Sequence, residues 1–320
     1  MGRYLHSNLG SCLHRQTQLK NDSMSVYETK DPRFNSKVIG HAKLERLWQG
    51  GRWLEGPAYF AAGQYLVFSD IPNNRLMRFD ETSQQVSVFR PSSNNSNGNT
   101  VDAQGRLITC EHLSRSVSRT EHNGSLTTLA SHFDGKRLNS PNDVVVHSDG
   151  SVWFTDPTYG IDSDYEGARA VSEIGASNVY RRTPDGVVAA MIVDRLRPNG
   201  LAFSADEKTL YVSDTGASHK DGYAKAIHAY RVGETIDYTG AFCTIDSGFF
   251  DGFRLDNDGC VWTSAGTAVH CYHPDGSLLG VIPIGEMVAN VCFGSAKRNR
   301  LYIAAQTSLY AIYLNARGLA

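Results

Sequence analysis

The chain has 320 residues, of which 41% are hydrophobic and 20% charged, with a formal net charge of −2. That is enough chain and apolar content for one large core, and the near-neutral balance gives no reason to expect nucleic acid or an anionic membrane as partner. No run of 18 apolar residues occurs, so the sequence contains no transmembrane helix signal.

Residues 1–38 are polar and irregular, without the apolar stretch of a readable signal peptide, and are expected to form an N-terminal extension outside the main domain. Lys43 to Trp48, KLERLW, alternates like a strand. From Glu55 onward a unit recurs: EGPAYFAAGQYLVFSD, then NTVDAQGRLITCEH from Asn99, NDVVVHSDGSVWFTD from Asn142, NGLAFSADEKTLYVSD from Asn199, DGFRLDNDGCVWTSAG from Asp251 and NVCFGSAKRNRLYIAAQ from Asn290. Each unit opens on a short strand, turns at a Gly- or Asp-rich tip and returns on a second strand.

A third strand follows in every unit: 75–80, 116–120, 178–182, 226–231, 268–273 and 308–314. A fourth follows in the first five: 86–89, 126–130, 187–193, 241–245 and 278–284. Four strands per unit at a period near forty to fifty residues predict an all-β, six-bladed β-propeller over residues 39–320. The sixth unit lacks a fourth strand. Lys43 to Trp48 is expected to supply it, closing the ring and covering an open sheet edge. Residues 92–99, SSNNSNGN, read as a loop. Two insertions, 162–177 and 216–225, are expected on the rim that also carries the unit openings, with a helical turn or two in 166–174.

Six cysteines, at 12, 110, 243, 260, 271 and 292, form no C-x-x-C pair and mostly fall inside strands. They read as buried thiols, which favours a reducing, cytoplasmic setting and leaves an exported one open.

In a propeller the innermost strands line a central channel, so the six opening residues point at one locus. Glu55, Asn99, Asn142, Asn199, Asp251 and Asn290 all carry side-chain oxygen. Asn and Asp also favour strand-entry turns for purely local reasons, but Glu does not. Two acids and four amides suit a hard cation, Ca²⁺ above all, and disfavour copper or structural zinc.

At these residues the chain resembles the gluconolactonase, senescence-marker-protein (regucalcin) and lactonohydrolase-like family, and the bacterial gluconolactonases in particular. The motifs are EGPAYF, SPNDVVVHSDGSVWFTDPTYG, PNGLAFSADEKTLYVSDTG and DGFRLDNDGCVW, in that order. The resemblance implies a six-bladed propeller with one divalent metal, usually calcium, with Zn²⁺, Mn²⁺ or Mg²⁺ as substitutes. It places the ligands on Glu55, Asn142, Asn199 and Asp251, and implies hydrolysis of a sugar lactone. Ser140 stands where animal members carry a substrate-contacting Arg, which points to a different sugar-binding mode. A phosphotriesterase-like or other lactone hydrolase is the alternative chemistry, and a non-catalytic propeller binding a protein partner the alternative class.

Lactone hydrolysis needs a polarised carbonyl and an activated water. Asp251 is the candidate general base, with direct nucleophilic attack the lesser alternative. His112, Tyr159, Asn99 and Asn290 are candidate substrate contacts. Asp70, Asp156 and Asp214 end equivalent strands and read as caps of the turns that follow. No G-x-S-x-G elbow supports a serine triad.

Overall fold

The computed structural model describes residues 26–319. Six antiparallel sheets follow one another in chain order, beside a small two-stranded sheet, and their strands run in sequence from the channel outward except where N-terminal strands form the outer edges of the last two. The inner strands are Leu54–Phe60, Ser96–Val101, Val144–Val146, Pro198–Phe203, Phe253–Leu255 and Val288–Gly294. The chain is a six-bladed β-propeller of four-stranded blades, as the repeat predicts.

The alternation along each strand explains the stacking. In Val152–Asp156, Val152 and Phe154 pack with Ile108, Cys110 and Val117 of blade two, whereas Trp153 turns to Phe203, Leu210 and Val212 of blade four. Successive side chains point to opposite faces of a sheet, so every blade serves two interblade cores. Trp153 and Phe203 meet edge-on with centroids 5.5 Å apart.

Glu45–Gln49 forms the outer strand of blade six, pairing antiparallel with Ser308–Tyr313 in the register Glu45↔Ala311 and Gln49↔Ser308. The ring therefore closes through the N-terminal strand. Residues 26–38, outside the repeat, are ordered against blade five. Glu28–Thr29 adds a fifth strand beside Leu278–Pro283. Asp31 then caps a 3₁₀ turn, Pro32–Ser36, by accepting from the Arg33 amide at 2.9 Å. That turn drives Phe34 into the core against Trp262. Gly280 makes room, since a Cβ there would lie 2.3 Å from Phe34 Cδ1.

Three local expectations are corrected. The segment expected as a loop at 92–99 becomes strand from Ser96, because its small polar residues fit the narrow channel. The helical turn in the blade-three insertion lies at Tyr159–Asp162, not within 166–174. The outer strand of blade four runs Ile236–Thr244, five residues longer at its start than expected, as a long hairpin partner of Ala226–Val232. Cys110, Cys243, Cys260, Cys271 and Cys292 are buried free thiols; Cys12 lies outside the described residues.

Candidate metal centre and active site

Hydrogen bonds between neighbouring blades identify the residue that opens each inner strand. Ser69 Oγ donates to Asn97 O at 2.6 Å, Thr155 Oγ1 to Asn199 O at 2.7 Å and Ser213 Oγ to Asp251 O at 2.7 Å. Where no hydroxyl does this, a backbone amide does: Gly98 N to Asn142 O at 2.7 Å and Gly252 N to Ala289 O at 2.8 Å. With Glu55 in blade one, the ring is Glu55, Asn97, Asn142, Asn199, Asp251 and Ala289.

The expected ring is thus corrected in two blades. Asn99 lies two residues inside its strand. Its amide donates to Gly56 O, Ser69 Oγ and Asn97 O, and its Oδ1 accepts from Thr109 Oγ1. Its hydrogen-bonding capacity is spent on pinning blades one and two together. Asn290 lies one residue past Ala289, where its Nδ2 donates to Glu55 Oε2 at 3.0 Å and its Oδ1 accepts from Val291 N. The inner strands of both blades carry a β-bulge, between Ser96 and Asn99 and between Val288 and Asn290, as do those of blades one and four.

Glycine follows four ring residues, at Gly56, Gly98, Gly200 and Gly252, because the inner strands nearly touch. A Cβ on Gly200 would sit 2.3 Å from Asp251 O, and one on Gly98 would sit 2.4 Å from Asn142 O. Blade three departs from this by carrying Asp143, a further carboxylate beside the ring and fully buried.

The electrostatics of the ring are strongly unbalanced. Burial, and next the charge of Asp143, push Glu55 up to about 8, while donation from Asn290 and the Gly56 amide pulls the other way. Burial, then Glu55, Asp143 and Glu166, push Asp251 well above the carboxylate range against a hydrogen bond from Asn199. The nearby cation is Arg254, 3.5 Å from Asp143 Oδ2. Four carboxyl groups, Glu55, Asp143, Glu166 and Asp251, face one guanidinium, so their ionised forms are short of positive charge. Among the described residues no three His, Cys, Asp or Glu side chains gather as a metal site, so any cation here is held by two carboxylates and amide oxygens. That donor set and its charge deficit fit a divalent hard cation.

His112 sits beside the ring, buried. Its Nδ1 is 3.1 Å from Glu166 O and its Nε2 3.1 Å from Asn97 Nδ2. Burial lowers its pKa to about 4 and keeps it neutral. Tyr159 hydrogen-bonds Thr215 Oγ1 at 2.6 Å under the Arg197 guanidinium, and burial raises its phenol, with Asp251 adding to the rise. Ser140 ties the insertion rather than facing the ring: its Oγ donates to Pro157 O and accepts from Gly160 N.

The strand-ending aspartates act on the loops that lead into the ring. Asp70 accepts from Arg52 N, Asp156 from Asn139 N and Ser140 N, and Asp214 from Leu196 N and Arg197 N. They fix the entry to Glu55, Asn142 and Asn199 respectively. Sequence reasoning missed Asn97 and Glu166. The Asn-Gly pair at 97–98, matching 199–200, is the signal that marks the first. Glu166 lies in an insertion outside any repeat; burial and Asp162 raise it to about 7. A separate cavity of about 480 Å³ opens along the strands below, lined by Tyr59, Phe203, Arg254 and Phe293.

A family profile described as the SMP-30/Gluconolactonase/LRE-like region matches residues 53–307. The chain is 28% identical to the gluconolactonase of Zymomonas mobilis over 324 residues, covering 95% of this chain and 90% of that one. A solved gluconolactonase from Xanthomonas campestris superposes with a TM-score of 0.84 at 36% identity, covering 90% of this chain and 94% of its own. A regucalcin structure from Agrobacterium tumefaciens, described as a calcium-binding protein, shares the fold with a TM-score of 0.70 at 19% identity, over 86% of this chain and 96% of its own.

Proposed function

Because the chain belongs to the SMP-30/gluconolactonase/LRE-like family, we propose that it is a gluconolactonase-type hydrolase that opens D-glucono-lactone to D-gluconate. The observation that carries this reading is the ring. Glu55, Asn142, Asn199 and Asp251 occupy one equivalent position in four blades, the first three buried and Asp251 half-buried, and the group is short of positive charge. These four are the proposed ligands of one divalent cation, calcium, and residues 39–320 the proposed catalytic domain.

A cation bound there supplies Lewis-acid polarisation of the lactone carbonyl. The chain supplies the rest. Asp251 accepts the proton of the attacking water as its oxygen joins the carbonyl carbon. The ring oxygen of the lactone then leaves as a hydroxyl, taking up a proton. Glu55, held by Asn290 and the Gly56 amide, is a ligand with no proton role. Tyr159 lies beside Asp251 at the blade-three insertion, where it positions the sugar. His112, expected as a substrate contact, is fully buried with both ring nitrogens engaged and does not reach the mouth.

The test is pH-stat hydrolysis of a panel of sugar lactones with and without EGTA. Turnover of D-glucono-lactone that EGTA abolishes and calcium restores is the expected result. Full turnover in chelator removes the metal from the mechanism, and turnover of no lactone in the panel removes the enzyme class.

A further inference from the structure

Asn97 is the one ring oxygen carrier that the family motifs leave unassigned. It opens the inner strand of blade two, between Glu55 and Asn142 and across the ring from Asp251, and is 4% exposed. Its Nδ2 has a partner, His112 Nε2 at 3.1 Å, whereas its Oδ1 has none and is closed to solvent. An unpaired buried carbonyl oxygen is expensive unless something positive faces it.

The contacts of His112 decide which end of the amide faces it. The carbonyl of Glu166 can only accept, so Nδ1 of His112 carries the ring hydrogen. Nε2 is then bare and can only accept, so it takes the NH₂ end of Asn97. The oxygen end is left without a partner. The assignment follows from both partners together, not from one distance. The packing around His112 is tight enough to hold it: a Cβ on Gly160 would lie 2.5 Å from His112 Cβ.

Two partners could satisfy Oδ1, a cation or a donor hydroxyl. A calcium ion approaches oxygen to about 2.4 Å, whereas a hydroxyl or water stops at about 2.8 Å. An oxygen sealed from a water-sized molecule favours the cation. We propose that Asn97 Oδ1 is a fifth oxygen ligand of the ring cation, and that His112 is the positioning residue that orients it. The inference rests on the calcium reading of the ring. It makes five of the six equivalent positions oxygen donors and leaves Ala289 as the open side.

The test is calcium binding by titration calorimetry on the full chain after chelator treatment, with KM for D-glucono-lactone measured alongside. Asn97→Ala is expected to weaken calcium binding about tenfold, the scale on which single contacts at a metal site act. Asn97→Asp keeps an oxygen and adds charge, so it is expected to bind calcium at least as tightly as wild type. His112→Gln leaves Asn97 in place and is expected to weaken binding by less than Asn97→Ala. If Asn97→Ala does not fold, the other two variants decide. Wild-type affinity in Asn97→Ala, or an Asn97→Asp that loses calcium, overturns the inference. A raised KM with unchanged calcium affinity also overturns it and makes Asn97 a substrate contact. A wild-type chain that binds no calcium overturns the ring reading and this inference together, whereas calcium binding in wild type that Asn97→Ala matches overturns the inference alone.

Discussion

Asn290 donates through Nδ2 to Glu55 Oε2 at 3.0 Å, joining the last blade to the first at the ring itself. The contact spans the junction that the N-terminal strand closes, so assembly of the propeller and charge on Glu55 are linked. Asn290→Ala leaves Glu55 one donor short and its carboxylate less well oriented. Calcium affinity is expected to fall by roughly tenfold while the fold stays intact, the scale seen when an outer partner of a ligand is lost. Calorimetry against wild type measures it, and an unchanged affinity counts against the linkage.

Asp251 and Glu55 are expected to fail differently. Asp251→Asn keeps an oxygen and the volume but removes the base, so kcat is expected to drop by roughly 10²–10⁴ even at saturating calcium. Glu55→Gln is expected to lose calcium first and to recover part of its rate as calcium is raised. Steady-state kinetics over a calcium series separates the two. Recovery of wild-type kcat by Asp251→Asn would make Asp251 a ligand only.

The pH dependence of stability is expected to differ with and without calcium. Glu55 is raised from its ordinary 4.5 to about 8 in the metal-free fold, and Asp251 moves the same way. The folded chain therefore holds these protons more tightly than the unfolded chain does. Its stability from these groups is complete at low pH and declines as pH rises from about 4.5 through 8, by about 1.4 kcal/mol per pH unit for each such proton. A bound divalent cation offsets that decline. The gap in Tm between calcium and EGTA samples is expected to widen steadily from pH 5 to pH 8. A gap that is constant over this range contradicts the assignment.

Phe34 anchors residues 26–38 on blade five, fully buried against Trp262 and Gly280. Phe34→Ala is expected to destabilise the fold by about 3–5 kcal/mol, read as a lower midpoint in urea. Removal of residues 1–38 is expected to do at least as much harm, since it also takes Lys37 from the buried Asp256. A truncated chain as stable as wild type would show that this segment is only draped over the propeller.

Most of the architecture was legible because strand chemistry repeats. Val144–Val146 and Val152–Asp156 announce themselves by β-branched and aromatic runs bounded by Ser-Asp-Gly, and the closing role of Glu45–Gln49 followed from one missing strand. The ring was less legible. Residue type does not set register, so Asn99 and Asn290 looked equivalent to Asn142 and Asn199, whereas Asn97 and Ala289 hold that position. The insertion carrying Glu166 belongs to no repeat, and its approach to His112 is a contact between residues 54 positions apart that no local pattern encodes.

The closing strand also sets an order of assembly. Glu45–Gln49 leaves the ribosome long before its partner Ser308–Tyr313 exists. Until then its backbone edge has no mate, and blade six cannot be completed during most of translation. This early strand is among the last to be paired, so the nascent chain must keep that edge from pairing elsewhere, and the final step of maturation joins two segments far apart in the chain.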